Sequence, residues 1–427
     1  MGPAPAFFFA SLFFTPLTRL LSQLMLPMNR LARGSSMLGR RAYSQAKDGF
    51  SIKQRALPTT TSIKYSIPQD PFLLASKFRD VARNGKLDDA VAIVMQTKTR
   101  DQSVVVWNLV INEYAKIGRL GRALRAFTEM RKRGFKPTPT TFTALLKACS
   151  LSDSANRAQI AGELFDMMDR YKVEPTLINV NSLLMVYQRN ESVEPLLACF
   201  NNLPTEGPLA PSLETYTTVI STLRREFMRL LDGKQPARSA KDASTFVEAR
   251  RHALNRQNLY RSFEAIMDVW TSFVEDVRHR QQGLARDTEV LMVDAKIVNM
   301  VLKCCHSIYN ENRSLGRRGF KVVEDVYGLD KSLAPGKQGP DAKADATPLV
   351  DLLSEQLVNS DTGLTAINTS TVDLVLTLCS RDGEVMKAIR FWRRLMLSHR
   401  DMVQPSKLNY ASYLNLLHLR LEKFAIL

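Results

Sequence analysis

The first 47 residues contain no Asp and no Glu; the first acid is Asp48. Over the same stretch Arg19, Arg30, Arg33, Arg40 and Arg41 sit among Ser, Leu and Ala. An acid-free, arginine-bearing N-terminus has the composition of a mitochondrial transit peptide, whose basic helix follows the membrane potential inward. Long hydrophobic runs are also missing. Ala6 to Leu17 is apolar but broken by Pro16, and it falls short of the about 20 residues a membrane-spanning helix needs. A secretory signal is the competing reading of that run, but no basic residue precedes it and Arg19 follows it. Cysteine is sparse: Cys149, Cys199, Cys304, Cys305 and Cys379 are scattered, which excludes a dense disulfide framework and fits a reducing compartment. No two cysteines stand in a C-x-x-C pair, and His252, His279, His306, His399 and His418 fall in no metal or triad spacing. Cys304-Cys305-His306 are consecutive. On a helix such neighbours point about 100° apart, so they cannot close round one ion and read as small buried thiols. Phosphate-cradling and dinucleotide glycine motifs are absent as well. The chain reads as having no catalytic residues, no metal and no cofactor.

What the chain has in excess is positive charge. The net charge is +17 over 427 residues, and loss of residues 1–43 would remove five Arg and no acid, leaving +12 on 384. Such a charge favours a polyanionic partner and says nothing of fold. The other excess is self-similarity. Val104-Val-Val-Trp-Asn-Leu-Val-Ile111 is echoed 35 residues later by Pro139-Thr-Thr-Phe-Thr-Ala-Leu-Leu146. Within the first copy, Trp107, Val110, Ile111 and Tyr114 fall at helical spacing, Gly118 breaks the run, and Ala123, Leu124, Phe127 and Met130 form a second stripe stopped by Gly134 and Pro137. Two short helices of this kind hold too little core alone. Stacked pairs bury their apolar faces against one another, so the spacing predicts an all-α chain, a superhelical solenoid of helix-turn-helix repeats.

Further openings occur at Glu174, Ala210, Ala295, Thr369 and Gln404, and a degenerate copy begins near Pro71. The resulting organisation is a transit peptide over 1–43, a linker over 44–70, repeats over 71–230, an insertion loop plus a long helix over 231–290, and degenerate repeats over 291–427. Two polar interruptions, Asp232–Ser244 and Lys331–Pro348, read as loops. Between them Leu259, Phe263, Ile266, Trp270, Phe273 and Val277 form a helical stripe that reads as the delayed second helix of the fourth copy. Gly316-Arg-Arg-Gly319 has the form of an RNA-clamping loop but lacks the strands that would carry one, so it reads as a basic helix junction.

The aromatic-Asn/Thr opening, the Gly-Arg-Leu-x-x-Ala middle (Gly118–Ala123) and the Gly-Phe-Lys-Pro ending (Gly134–Pro137) resemble the pentatricopeptide repeat. Strong and weak copies together cover about two thirds of the chain; the tetratricopeptide repeat is the nearby alternative, disfavoured by these endings and by the charge. The resemblance implies a right-handed superhelix that binds single-stranded RNA, one base per repeat. Among members, a basic chain with few, irregular repeats is similar to a fungal mitochondrial factor acting on the small-subunit ribosomal RNA precursor or on introns. By resemblance the base-reading residues are Asn108, Thr143, Asn181 and Thr217, with Thr138, Thr176 and Ser212 closing the repeats, and Asn favours pyrimidines while Thr favours purines. Val105 and Ile178 fall where relatives sandwich a base; Lys116, Lys147 and Arg189 are candidates for phosphate contacts.

The partners expected are single-stranded mitochondrial RNA and the small ribosomal subunit, for a matrix protein without a membrane span, acting as a monomer. A structural ribosomal subunit, a messenger-specific factor and a protein-binding adaptor are the alternatives from other classes. Arg41-Ala42-Tyr43-Ser44 resembles a matrix-processing site with Arg two residues before the Tyr that precedes the cut. N-terminal sequencing of the protein from purified mitochondria is therefore expected to start at or near Ser44; an intact Met1 in the mature protein refutes this.

Overall fold

A computed structural model of the chain describes residues 66–233, 245–281, 290–328, 348–353, 366–398 and 403–425. The chain divides into two compact units, Met1–Ala56 and Leu57–Leu427, and all described residues belong to the second. The transit segment with Tyr43 and Ser44, most of the 44–70 linker, and nearly all of both interruptions lie outside the described residues; Asp232 itself ends a helix and Pro348 precedes one.

Among the described residues there are helices and no strands. In chain order they are α1 (Pro71–Arg83), α2 (Leu87–Gln96), α3 (Val104–Lys116), α4 (Leu120–Lys132), α5 (Pro139–Leu151), α6 (Arg157–Arg170), α7 (Leu177–Arg189) and α8 (Val193–Asn201). There follow α9 (Leu213–Asp232), α10 (Thr245–Gln281), α11 (Ala295–Ile308), α12 (Arg313–Gly316), α13 (Gly319–Tyr327), α14 (Leu349–Leu352), α15 (Thr369–Asp382), α16 (Val385–Ser398) and α17 (Lys407–Ala425). Helices α1, α3, α5, α7, α9, α11, α15 and α17 pack side by side in that order as one row of leading helices. Each of α2, α4, α6, α8, α10, α13 and α16 packs on the leading helix of its own repeat. The row runs on from α9 to α11 and from α11 to α15, so both interruptions leave the stack intact. The Gly316–Gly319 stretch is the junction from α12 into α13.

The leading helices begin alike. Each starts after a side-chain cap: Asp70, Ser103, Thr138, Thr176, Ser212, Asp294, Asn368 and Ser406 each accept a backbone N–H of the first turn. A cap of this kind contributes about 1 kcal/mol. The trailing helices α2, α4, α6, α8 and α13 have no such cap. Their buried faces do the work, with Ala123, Ala126, Phe127 and Met130 of α4 as the example.

The fourth repeat departs from the others. Helix α9 has 20 residues and α10 has 37, against 13 in α3, α5 and α7. Arg280 Nη2 donates to the Pro211 carbonyl (2.9 Å), the Tyr216 hydroxyl to Asp276 Oδ2 (2.6 Å), and the Phe227 and Phe263 rings meet at 6.0 Å. Those contacts fix α10 antiparallel along α9, with its N-terminal end running about 20 Å past the end of α9 at the helical rise.

Four of the leading-to-trailing turns use left-handed backbone. Gly85, Gly118 and Gly383 supply it at φ of 76°, 67° and 72°, whereas the turn from α7 to α8 uses Glu191 at 55°. A Cβ on Gly118 would also stand 2.9 Å from the Leu151 carbonyl oxygen, while one on Gly85 would meet nothing. Gly118→Ala is therefore expected to lower stability by about 2–3 kcal/mol and Gly85→Ala by about 1–2 kcal/mol, the backbone strain alone. Glu191→Gly is expected to stabilise by about 0.5 kcal/mol, as the strain relieved slightly exceeds the added freedom of the unfolded chain. Urea-denaturation midpoints of the three variants check the order.

Candidate nucleic-acid interface

Counting from the first residue of each leading helix places every candidate in one frame. The second position is Phe72, Val105, Thr140, Ile178, Glu214, Lys296, Ser370 and Leu408 along the row, and it is exposed in all eight. Val105 is 57% and Ile178 65% exposed, which is unusual for aliphatic side chains on otherwise buried helices. The third position is buried in every leading helix except α1. The fifth position holds Asn108, Thr143, Asn181 and Thr217, each half-buried. The four expected base readers therefore stand at one register on four adjacent helices, one turn from the exposed second position.

Their polar atoms are tied to the next helix. Asn108 Oδ1 accepts from the Thr141 hydroxyl (2.6 Å), and Asn181 Oδ1 accepts from the Thr215 hydroxyl (2.7 Å). Thr143 Oγ1 accepts from Asn179 Nδ2 (2.8 Å). The repeat-closing residues Thr138, Thr176 and Ser212 are the caps of α5, α7 and α9, each in a reciprocal box with the third residue of its helix. Only Thr138 also reaches a reader among the bonds of the described residues, accepting from Asn108 Nδ2 at 3.4 Å.

The three expected phosphate contacts differ in their surroundings. Lys147, ninth on α5, is exposed and makes no ion pair among the described residues; Lys303 holds the same ninth position on α11 and is exposed too. Lys116 is paired with Glu113 at 2.6 Å. Arg189, thirteenth on α7, donates from Nη1 to the Ser150 carbonyl near the end of α5 (3.1 Å). Arg225 does the same to Gln188 (3.1 Å) and Arg381 to His306 (2.9 Å), always from the thirteenth residue of one leading helix to the twelfth of the one before. A guanidinium there satisfies an orphan carbonyl and complements the negative helix end, so Arg189 has a structural task.

Two fifth-position residues escaped the sequence reading. Asn299 of α11 and Asp373 of α15 share the register. Their helix openings were recognisable, but the interruptions break the 35-residue beat that would have pointed to them. Asn299 is buried and donates from Nδ2 to the Asn368 cap (3.1 Å). Cys304 and Cys305 are buried in the core and burial pushes both thiols up, Cys304 to about 12. No group of metal-binding side chains occurs among the described residues, and no described helix is long and apolar enough to cross a membrane.

The PPR repeat family matches residues 102–150, which are α3, α4 and most of α5 with the turn before them. That stretch is pentatricopeptide repeat sequence. Relatives include a pentatricopeptide repeat-containing protein of Arabidopsis thaliana, 31% identical over 144 residues, covering 34% of this chain and 26% of the relative. Another from the same plant, named mitochondrial, is 27% identical over 164 residues, covering 38% of this chain and 24% of the relative. The matches thus take in about a quarter of the length of these relatives. Among solved structures, pentatricopeptide repeat protein PPR10 in complex with an 18-nt psaJ RNA element is 17% identical, with 95% of this chain and 59% of that one covered and a TM-score of 0.30. A score that low leaves the pentatricopeptide assignment to the sequence matches and the repeated helix pairs.

His306 offers a check on the stack between α11 and α15. Its Nε2 lies 2.6 Å from the Leu374 carbonyl oxygen. Burial, with help from Arg381, lowers its pKa, against the Leu374 bond and Asp373, which raise it. A lowered folded-state pKa means the unfolded chain binds the proton more readily. The stabilisation is then complete above the unfolded pKa of about 6.5 and is lost as pH falls below it. The urea midpoint is expected to drop between about pH 7 and pH 5, and to drop less in His306→Gln; equal slopes in the two proteins refute the assignment.

Proposed function

We propose that the chain binds single-stranded RNA in mitochondria and acts by occupying it, without chemistry of its own. The observation that carries this reading is the shared register of Asn108, Thr143, Asn181 and Thr217 on four adjacent leading helices. Small polar side chains with hydrogen-bonding capacity, spaced one per repeat beside exposed aliphatic residues, suit base edges and base faces of an unpaired strand. Net charge of +17, with Lys147 and Lys303 exposed on the same row, suits its phosphates. The acid-free N-terminus and the relatives named mitochondrial support the compartment.

The first candidate target is the small-subunit ribosomal RNA precursor, with the protein defining a 5′ end. Four well-marked repeats cover only a few nucleotides, a footprint that fits one site. A bound solenoid holds the strand open, blocks exonucleases and presents the site to a separate nuclease. Loss of the protein is expected to leave transcription intact while the mature 5′ end of the small ribosomal RNA becomes ragged and mitochondrial translation fails. A normal 5′ end together with loss of one messenger points instead to a messenger-specific factor, and cofractionation with assembled ribosomes at high salt points to a structural subunit.

In vitro, the purified protein is expected to prefer single strands over duplexes and to favour pyrimidine-purine-pyrimidine-purine across the four readers. Asn108→Ala or Asn181→Ala is expected to cost about 1–3 kcal/mol of discrimination at one nucleotide. Lys147→Ala is expected to weaken all sequences alike and to flatten the salt dependence. Equal affinity for every strand in a panel refutes the base readout, and equal affinity for duplex refutes the single-strand reading.

A further inference from the structure

The fifth-position side chains do not stand alone, and the groups tied to them decide what each can offer. Asparagine carries an acceptor and a donor on one amide, and the two swap when it turns over. At Asn108 the amide oxygen meets the Thr141 hydroxyl at 2.6 Å, a length proper to O–H···O and short for N–H···O. Thr141 Oγ1 already accepts the Thr138 backbone N–H (3.1 Å), which leaves its own proton to donate. The oxygen of Asn108 is thereby engaged and its NH2 group remains, with only a long 3.4 Å bond to Thr138 Oγ1. Asn181 repeats the arrangement: Thr215 donates to its oxygen at 2.7 Å, Thr215 Oγ1 takes the Ser212 N–H (3.1 Å), and the amide nitrogen is 3.3 Å from Glu214 Oε2.

The junction between α5 and α7 is built from other residues with a different result. Asn179 Oδ1 accepts the Thr176 backbone N–H (3.0 Å) and the Thr176 hydroxyl (2.8 Å), so its oxygen is fixed toward the helix start. Its Nδ2 then donates to the Pro139 carbonyl (3.0 Å) and to Thr143 Oγ1 (2.8 Å). The Thr143 hydroxyl itself donates to the Pro139 carbonyl (3.1 Å). What Thr143 has left is a lone pair.

We propose that the third residue of a leading helix positions the reader on the helix before it, so that Asn108 and Asn181 present donors and Thr143 presents an acceptor to the nucleobases. Thr141, Asn179 and Thr215 are positioning residues, since they act through the reader. This rests on the single-stranded RNA reading above. Asn108 and Asn181 would select a base with an exposed carbonyl or ring-nitrogen acceptor, and Thr143 a base with an exposed amino or ring N–H. The row contains its own control. Behind Thr217 the third residue of the next leading helix is Ile297, which has no polar side-chain atom, so the nucleotide at Thr217 would be read with less discrimination.

The test uses the full chain and a panel of single-stranded RNAs in which one nucleotide at a time is changed. Thr141→Val removes the donor and keeps the shape, and valine already holds the third position of α3 as Val106. Discrimination at the Asn108 nucleotide is expected to fall about tenfold, within the range one base contact commands, while the Asn181 nucleotide is read as before. Thr215→Val is expected to do the reverse, and Thr141→Ser to restore the unaltered pattern. A merely structural role would lower the melting temperature or weaken all sequences together, leaving the pattern of preference in place. If Asn108→Ala and Asn181→Ala abolish base choice while both valine variants keep it, the positioning role is overturned and the RNA reading stands. If the unaltered chain binds no single strand, the reading and the positioning role are both overturned.

Discussion

Helix ends are the constraint on which this fold depends. A leading helix of 13 residues leaves orphan backbone groups at each end, and stacking buries those ends. Both ends are satisfied, and at each end the bonds extend across repeats. At the start, a closing residue such as Thr176 caps the helix, and the boxed partner Asn179 reaches back to Thr143 and Pro139 on the helix before. At the finish, Arg189, Arg225 and Arg381 each reach back to a carbonyl of the preceding leading helix. The starts of α5, α7, α9, α15 and α17 thus hold the adjacent repeat in register. The same bonds that close the stack orient the polar residues of the exposed row, so fold and candidate site share one set of hydrogen bonds.

The apolar half of this design was legible in the sequence. Trp107, Val110, Ile111 and Tyr114 at helical spacing are all fully buried on α3, and Leu259, Phe263, Ile266, Trp270, Phe273 and Val277 are all buried on α10. A 3.6-residue period reports one face directly, because burial acts on each side chain singly. The leading helices at Ala295 and Thr369 were legible for the same reason, and so was α17, whose opening the sequence puts at Gln404. The cross-helix bonding was not. Thr138, Thr176 and Ser212 were picked out by their place at the end of a repeat, but that place is also the start of a helix, where a hydroxyl is a cap first. Their box partners are Thr141, Asn179 and Thr215 in place of the usual Glu or Gln, so the familiar signature was missing. Arg189 looked like a surface cation because its partner, the Ser150 carbonyl, is 39 residues away and belongs to the backbone.

The fourth repeat shows what the stack tolerates. Its trailing helix arrives after a long interruption and has 37 residues, yet Tyr216, Asp276, Arg280 and the Pro211 carbonyl lock it to α9. The stripe of large apolar residues holds the rest, with Trp270 and Phe273 at 5.5 Å and Tyr216 against Phe273 at 5.1 Å. Insertion between the two helices of a pair is cheap when the pair itself remains. A loop of doubled length adds well under 1 kcal/mol of closure entropy, far less than the burial of one such ring contributes.

The fully buried apolar residues fall into two clusters along the row. They meet at α7, where Leu183 and Val186 face one and Val180 and Leu184 the other. The helix paired with α7 is α8, only nine residues long, with Leu196 and Phe200 as its buried residues. The turn between them carries the left-handed Glu191 in place of glycine. Phe165, Tyr187 and Cys199 pack against both clusters, so partly buried side chains bridge the joint where fully buried ones fill its flanks. A change of pitch confined to this joint would leave the packing inside either cluster undisturbed.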